Sequence, residues 1–152
     1  MLKFIQKKLK EEKGLTLIEL LAVIVILGII AAIAIPAIGN IMDNSRTGAI
    51  KSDAINIMSA ADLYFAEVTN DSTPNTATTQ ELQTSGYLDD PGSFPVDANT
   101  LVTQVNNGQN TFTGTGTAGS ITLTFNAATR DHINSLQNNQ SNIGTITTIS
   151  AQ

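Results

Sequence analysis

The 152-residue chain contains no cysteine and no tryptophan, and it has one histidine, five Phe and two Tyr. Without cysteine there is neither a disulfide framework nor thiol chemistry, and the absence says little about compartment. Charged residues make up 14% of the chain, well below the usual quarter. The polar load falls instead on Thr, Asn, Ser and Gln, which suits an uncharged outward surface built on strands and loops. The cations are also unevenly placed. Residues 1–14 hold Lys3, Lys7, Lys8, Lys10 and Lys13 against Glu11 and Glu12, a local balance of +3. The remainder holds Arg46, Lys51 and Arg130 against eleven acids, a balance of −8. A nonspecific grip on nucleic acid needs clustered Lys and Arg, and an acidic body lacks it.

What the chain does have is one long apolar run. From Leu15 to Ile38 the polar or helix-weakening interruptions are Thr16, Glu19, Gly28 and Pro36. At about 1.5 Å per residue, a helix over this stretch crosses roughly 30 Å of hydrocarbon. A basic start, an apolar run and an acidic remainder predict a single-pass membrane protein with its N-terminus in the cytoplasm.

Three readings of the run compete. Ala32-Ile33-Ala34 matches a signal-peptidase pattern, but the apolar core is then too long and contains an acid. A plain anchor explains the length but not Glu19, since a carboxylate in hydrocarbon costs on the order of 2.5–3.5 kcal/mol. The third reading uses every feature. Lys13-Gly14-Leu15-Thr16-Leu17-Ile18-Glu19 resembles the processing site of type IV pilins and pseudopilins, a prepilin with a class III leader. That resemblance implies cleavage between Gly14 and Leu15 by a prepilin peptidase and N-methylation of Leu15. Glu19 becomes the fifth residue of the mature chain, where the family carries its glutamate. Leu15 departs from the Phe that usually follows the cut. The likeness covers about residues 13–36 and fades afterwards.

Cleavage would create an α-amino group in apolar surroundings. A buried ammonium and a buried carboxylate are each costly alone and far less so as a pair. In the family picture the amine of an incoming subunit meets the glutamate of a neighbour, so Glu19 is expected to set assembly register. From Leu20 to Ile35 the helix is apolar all round, as for one buried on every side by lipid or by neighbouring helices. Pro36 removes a backbone donor and bends or loosens the helix. By the resemblance, residues 28–36, from Gly28 to Pro36, either kink or melt to extended chain in a polymer.

Beyond Pro36 the residues Ile38, Met42, Ile50, Ala54, Ile57, Ala61 and Phe65 recur mostly three or four apart, which predicts an amphipathic helix with one buried stripe. Gly39 and Gly48 weaken it by up to about 1 kcal/mol each. One helix is therefore expected from about Leu15 to Glu67. Residues 69–79 read as a loop, and 80–88 as a short helix or turn carrying Leu82, Tyr87 and Leu88. Asp89-Asp90-Pro91-Gly92 is a turn signal. Strands are expected over 100–105, 110–113, 120–126 and 144–150, with turns at Asn106-Asn107-Gly108 and over 114–119. Residues 127–138 can form a short helix with Ile133 and Leu136 facing inward. The expected fold class is α+β: a long N-terminal helix with a small antiparallel sheet packed on its C-terminal half. The expected segments are a cleaved leader at 1–14, a membrane and polymerisation helix at 15–36, and an outer domain at 37–152.

Other motifs carry less. The segment from Gly114 to Gly119 satisfies G-x-G-x-x-G but leads into a β-rich segment, which favours a flexible hairpin loop over a nucleotide site. His132 has no second ligand in sequence and reads as a solvated surface residue. Asp89, Asp90 and Asp97 lack the spacing of a known calcium loop. Asn70-Asp71-Ser72 and Asn139-Gln140-Ser141 match the N-glycosylation sequon, a weak pattern. No spacing suggests a catalytic arrangement, so neither enzyme activity nor a metal or cofactor is expected.

The resemblance implies a structural subunit, polymerised with copies of itself into a helical extracellular filament by an assembly platform in the membrane. Before assembly, membrane lipid surrounds the helix. Such fibres serve adhesion, motility, biofilm formation or DNA uptake. By the resemblance, the missing cysteine pair that staples the C-terminal region of many Gram-negative pilins, with the lysine-rich leader, points to a Gram-positive type IV pilin. Glu19 favours a major pilin in the body of the fibre. The alternatives are a minor pilin, a competence or secretion pseudopilin, or a membrane-anchored binding module that never polymerises.

Overall fold

The computed structural model describes residues 2–68, 76–105, 109–136 and 146–149, with side chains for 16–68, 76–105 and 109–136. Helix α1 (Leu2–Glu67) contains Pro36 without ending there. Its end at Glu67 agrees with the periodicity, but it starts earlier than the expected Leu15. Residues 2–13 are mostly Leu, Lys, Gln and Glu, with no Gly or Pro, and such residues lose little freedom in a helix. The chain divides into two compact units, Met1–Asn40 and Ile41–Gln152.

The first unit is the N-terminal part of α1. The second has a core. Ile50, Ala54, Ile57, Ala61 and Phe65 are buried along α1, together with Met58 and Thr47. The expected stripe begins later than its spacing implied, because Ile38 in the first unit and Met42 in the second stay half exposed. Thr47 takes the buried place before Ile50, and its hydroxyl donates to the carbonyl of Asp43 at 3.0 Å. That bond satisfies a polar group which would otherwise be costly to bury.

After α1 come β1 (Thr76–Thr78), α2 (Thr79–Thr84), β2 (Leu101–Thr103), β3 (Thr111–Ala118), β4 (Ile121–Thr129), α3 (Arg130–Ser135) and β5 (Ile146–Ile149). The sheet order is β1-β2-β3-β4-β5. The first four strands are antiparallel, as expected, with Val102 opposite both Ala77 and Phe112. β5 departs from that expectation and runs parallel to β4. A parallel neighbour needs a crossover rather than a tight turn, and α3 lies in that connection.

Alternation decides which face of the sheet is buried. Val102, Phe112, Ile121, Leu123, Phe125 and Ala128 are buried, while Thr115 and Thr117 point outward. Phe94, Phe112 and Phe125 meet at ring-centroid distances of 5.0, 5.6 and 6.0 Å. Each such ring, fully buried, contributes roughly 1.5–3 kcal/mol. α2 is held by a capping box: the Thr78 hydroxyl accepts from the Glu81 amide, and the Glu81 carboxylate accepts from the Thr78 amide.

Two local expectations are corrected. Thr76–Thr78 is a strand rather than the end of a loop, because tertiary pairing with β2 overrides its loop-like composition. Gly114 to Ala118 belong to β3, so the six-residue glycine motif is not a flexible loop. Its glycines sit where backbone approaches neighbours closely, and the turn itself is only Gly119-Ser120. The residues 69–75, the Asn106-Asn107-Gly108 turn and both glycosylation sequons lie outside the described residues.

Candidate functional site

Gly14 and Leu15 lie within the helical backbone of α1. Leu15 and Glu19 are four positions apart, so they share one helix face a turn apart. Glu19 is exposed, and it is the one ionisable residue between Thr16 and Met42. Around it the helix presents apolar side chains on every face. Leu20 is 65% exposed, Ile24 60% and Ile33 71%. Among the described residues one helix, Thr16–Glu67, is long and apolar enough to cross a membrane. A Cβ on Gly28 or Gly39 would meet nothing within 4 Å, so neither glycine is there for packing within the single chain. Residues 28–36 are helical throughout.

In the second unit polar side chains fasten the loops and strands to α1. The Asp53 carboxylate accepts from the Ser93 amide at 2.8 Å and from its hydroxyl at 2.6 Å. Arg46 donates to Asp43 at 3.1 Å and to the Ser120 hydroxyl at 3.2 Å. Arg130 donates to Asp62 at 2.7 Å and to the Ser59 hydroxyl at 3.2 Å. Lys51 donates to the carbonyl of Leu136 at 2.5 Å.

The acidic loop is occupied with its own backbone. Asp90 accepts from the Gly92 amide, and Asp97 from the amides of Asn99 and Thr100. The Thr100 amide above all holds the Asp97 carboxyl below its ordinary value against an opposing effect of burial, with the Thr100 side chain and Asn99 adding to the lowering. Tyr87 donates to Glu67, and that hydrogen bond is the main reason its phenol is raised above its ordinary value. His132 is half buried rather than fully solvated, with a buried Nδ1 that has no hydrogen-bond partner among the described residues. Its amide is capped by the Thr129 hydroxyl at 3.3 Å. Among the described residues no three His, Cys, Asp or Glu side chains gather into a metal-holding group.

Sequence reasoning singled out the N-terminal helix and missed a cavity in the second unit. Its lining comes from residues 58 and 62 on α1, 109 and 110 before β3, and 130 and 131 at the start of α3. Such a meeting of distant segments leaves no spacing signal in the chain.

Comparison with known proteins bears on the N-terminal segment. Residues 9–35 match the family model for the prokaryotic N-terminal methylation motif. The chain is 38% identical over 55 residues to the type II secretion system core protein G of Pseudomonas aeruginosa, a stretch covering 36% of this chain and 39% of that protein. The chain therefore spans about two fifths of the length of that curated relative. No solved structure matches it.

Proposed function

We propose that this chain is a member of the type IV pilin and pseudopilin family, whose members are structural proteins rather than enzymes, and that it serves as a type IV pilus subunit. Prepilin peptidase cuts between Gly14 and Leu15, and Leu15 is then N-methylated. The apolar helix rests in the membrane with its N-terminus cytoplasmic until an assembly platform moves the subunit into an extracellular homopolymer. In the fibre, neighbouring helices replace lipid around residues 15–36, and Gly28 and Pro36 let that stretch adjust.

The observation carrying this reading is the union of leader and helix. A Lys-Gly-Leu junction is followed by Glu19 and then by a helix apolar on every face, with those faces uncovered in the single chain. A plain anchor has no use for an acid there, whereas a polymer needs a partner for the new α-amine. A second reading, a pseudopilin of a secretion machine, is favoured by the likeness to the secretion core protein.

Intact mass and N-terminal sequencing of material sheared from the cell surface test the proposal. A start at Leu15, with or without one methyl group, supports processing and export. An intact Met1 found only in membranes, or a start at Ile35, overturns it. Electron microscopy of the same material separates the two readings, since long fibres favour the pilus and short assemblies the pseudopilin.

A further inference from the structure

We propose that the outer unit carries a binding site for a neutral saccharide, in the cavity of about 350 Å³ lined by Met58, Asp62, Gln109, Asn110, Arg130 and Asp131. This volume falls within the range of small-molecule sites, about 300–1,000 Å³. Among the described residues that line it, five of six are polar, and the sixth is the buried Met58.

The polar groups are held in place before any ligand arrives. Asp62 accepts from Arg130 and from the Asn110 amide group, each at 2.7 Å, using one carboxylate oxygen for each. Gln109 donates to Asp131 at 2.5 Å, and the Asn110 side-chain oxygen accepts from the Val105 amide at 3.2 Å. Side chains fixed by one another lose little freedom on binding, which is the main advantage of a preorganised site. Gln109 and Asp131 remain exposed at the rim.

Charge selects the class of ligand. An anion seeking Arg130 would have to approach beside the Asp62 carboxylate, which lies 2.7 Å from that guanidinium, and would face Asp131 as well. A cation seeking Asp62 meets Arg130. A hydroxyl-bearing neutral molecule meets neither conflict, because each hydroxyl can donate to a carboxylate and accept from an amide or guanidinium N–H. Among the described residues no aromatic side chain lines the cavity, so a single site binds weakly. If the chain polymerises, as proposed above, repetition along the fibre converts weak sites into firm attachment.

The test uses the full-length chain in a polyoxyethylene detergent, which carries no sugar, so its outcome does not depend on polymerisation. The chain is passed over four resins bearing glucose, galactose, mannose or N-acetylglucosamine. The expected result is retention on at least one resin and release by the same free monosaccharide. Asp131→Ala and Gln109→Ala, each checked for an unchanged melting curve, should weaken retention by about tenfold or more. Raising salt to about 0.5 M should leave retention intact, since a neutral ligand offers no ion pair to screen. Passage through all four resins overturns the proposal. So do retention of both variants at wild-type strength and release by salt alone.

Discussion

A Cβ added to Gly116 would stand 2.8 Å from the Cγ2 atom of Ile50. The third strand therefore lies with bare backbone against α1, and its glycines are a requirement of packing. Phe94 closes the same spot, with ring atoms 2.8 and 2.9 Å from the added carbon.

Gly116→Val should accordingly destabilise the outer unit by about 1–3 kcal/mol, the usual cost of overpacking. Strand propensity alone argues the opposite, since Val is favoured in strands. The urea midpoint of the chain in detergent, followed by tyrosine fluorescence, decides between them, and an unchanged or raised midpoint refutes the close approach.

Asp53 supports the loop between α2 and β2. Its carboxylate takes both Ser93 donors, and Gly92 beside it has φ +63°, a conformation other residues adopt at a cost. Asp53→Ala should cost about 1.5–3 kcal/mol and Ser93→Ala less, because the backbone amide bond survives the second change. Equal losses in denaturant melts would count against this division.

Ala127 has φ +50°, the one positive value for a non-glycine among the described residues. It sits at the bulge where Phe112 faces Ala128 while Gly114 faces Phe125, and its amide donates to the Thr113 hydroxyl at 3.1 Å. Left-handed backbone costs an L-residue roughly 1–2 kcal/mol, and glycine's greater unfolded freedom returns about half of that. Ala127→Gly should raise stability by about 0.5–1 kcal/mol, and a lower melting temperature would contradict the strain.

Two groups contribute to opposite limbs of the pH profile. The Asp97 carboxyl is lowered by the Thr100 and Asn99 amides. Its contribution is therefore complete above the ordinary carboxylate value of about 4 and is lost as pH falls towards the lowered one. The Tyr87 phenol is raised by its bond to Glu67. Its contribution is complete below the ordinary value of about 10 and is lost as pH rises through the raised one. Asp97→Asn should flatten the acid limb of a stability profile, and Tyr87→Phe the alkaline limb. Profiles that keep their wild-type slopes would refute the assignments.

Glu19 is exposed in the single chain and has a use only where a partner is present. Glu19→Ala should leave the outer unit's melting unchanged while surface filaments fall sharply in number. Filaments of normal abundance, counted by electron microscopy, would show that Glu19 does not set register.

The chain's own pattern was sufficient where the physics is local. The apolar run announces the long helix, because its meaning depends on neighbours within a few turns. The stripe from Ile50 to Phe65 announces the buried face for the same reason. The helix at Arg130–Ser135 falls inside the segment expected to hold it, and the one at Thr79–Thr84 starts one residue before the expected 80–88.

Composition misled where a segment's structure is set by what it pairs with. Thr76–Thr78 reads as loop because Thr and Asn tolerate both states, and β2 decides between them. The Thr-Gly alternation of β3 reads as turn because glycine usually marks one. Here it marks a strand lying on Ile50.

The amino-acid sequence by itself determined the α+β plan, the membrane-length helix that carries the N-terminal methylation motif, and the acidic, cation-poor remainder of the chain. Hydropathy, helix period and charge all act along the chain over short distances. The tertiary structure alone decided that β5 runs parallel to β4, that Gly114 and Gly116 are strand residues, and that Asp62, Gln109, Asn110, Arg130 and Asp131 surround one cavity. Those outcomes depend on segments as much as 73 positions apart, Met58 and Asp131 among them, being folded against each other. Such meetings are set by the packing of the whole core and not by any local pattern.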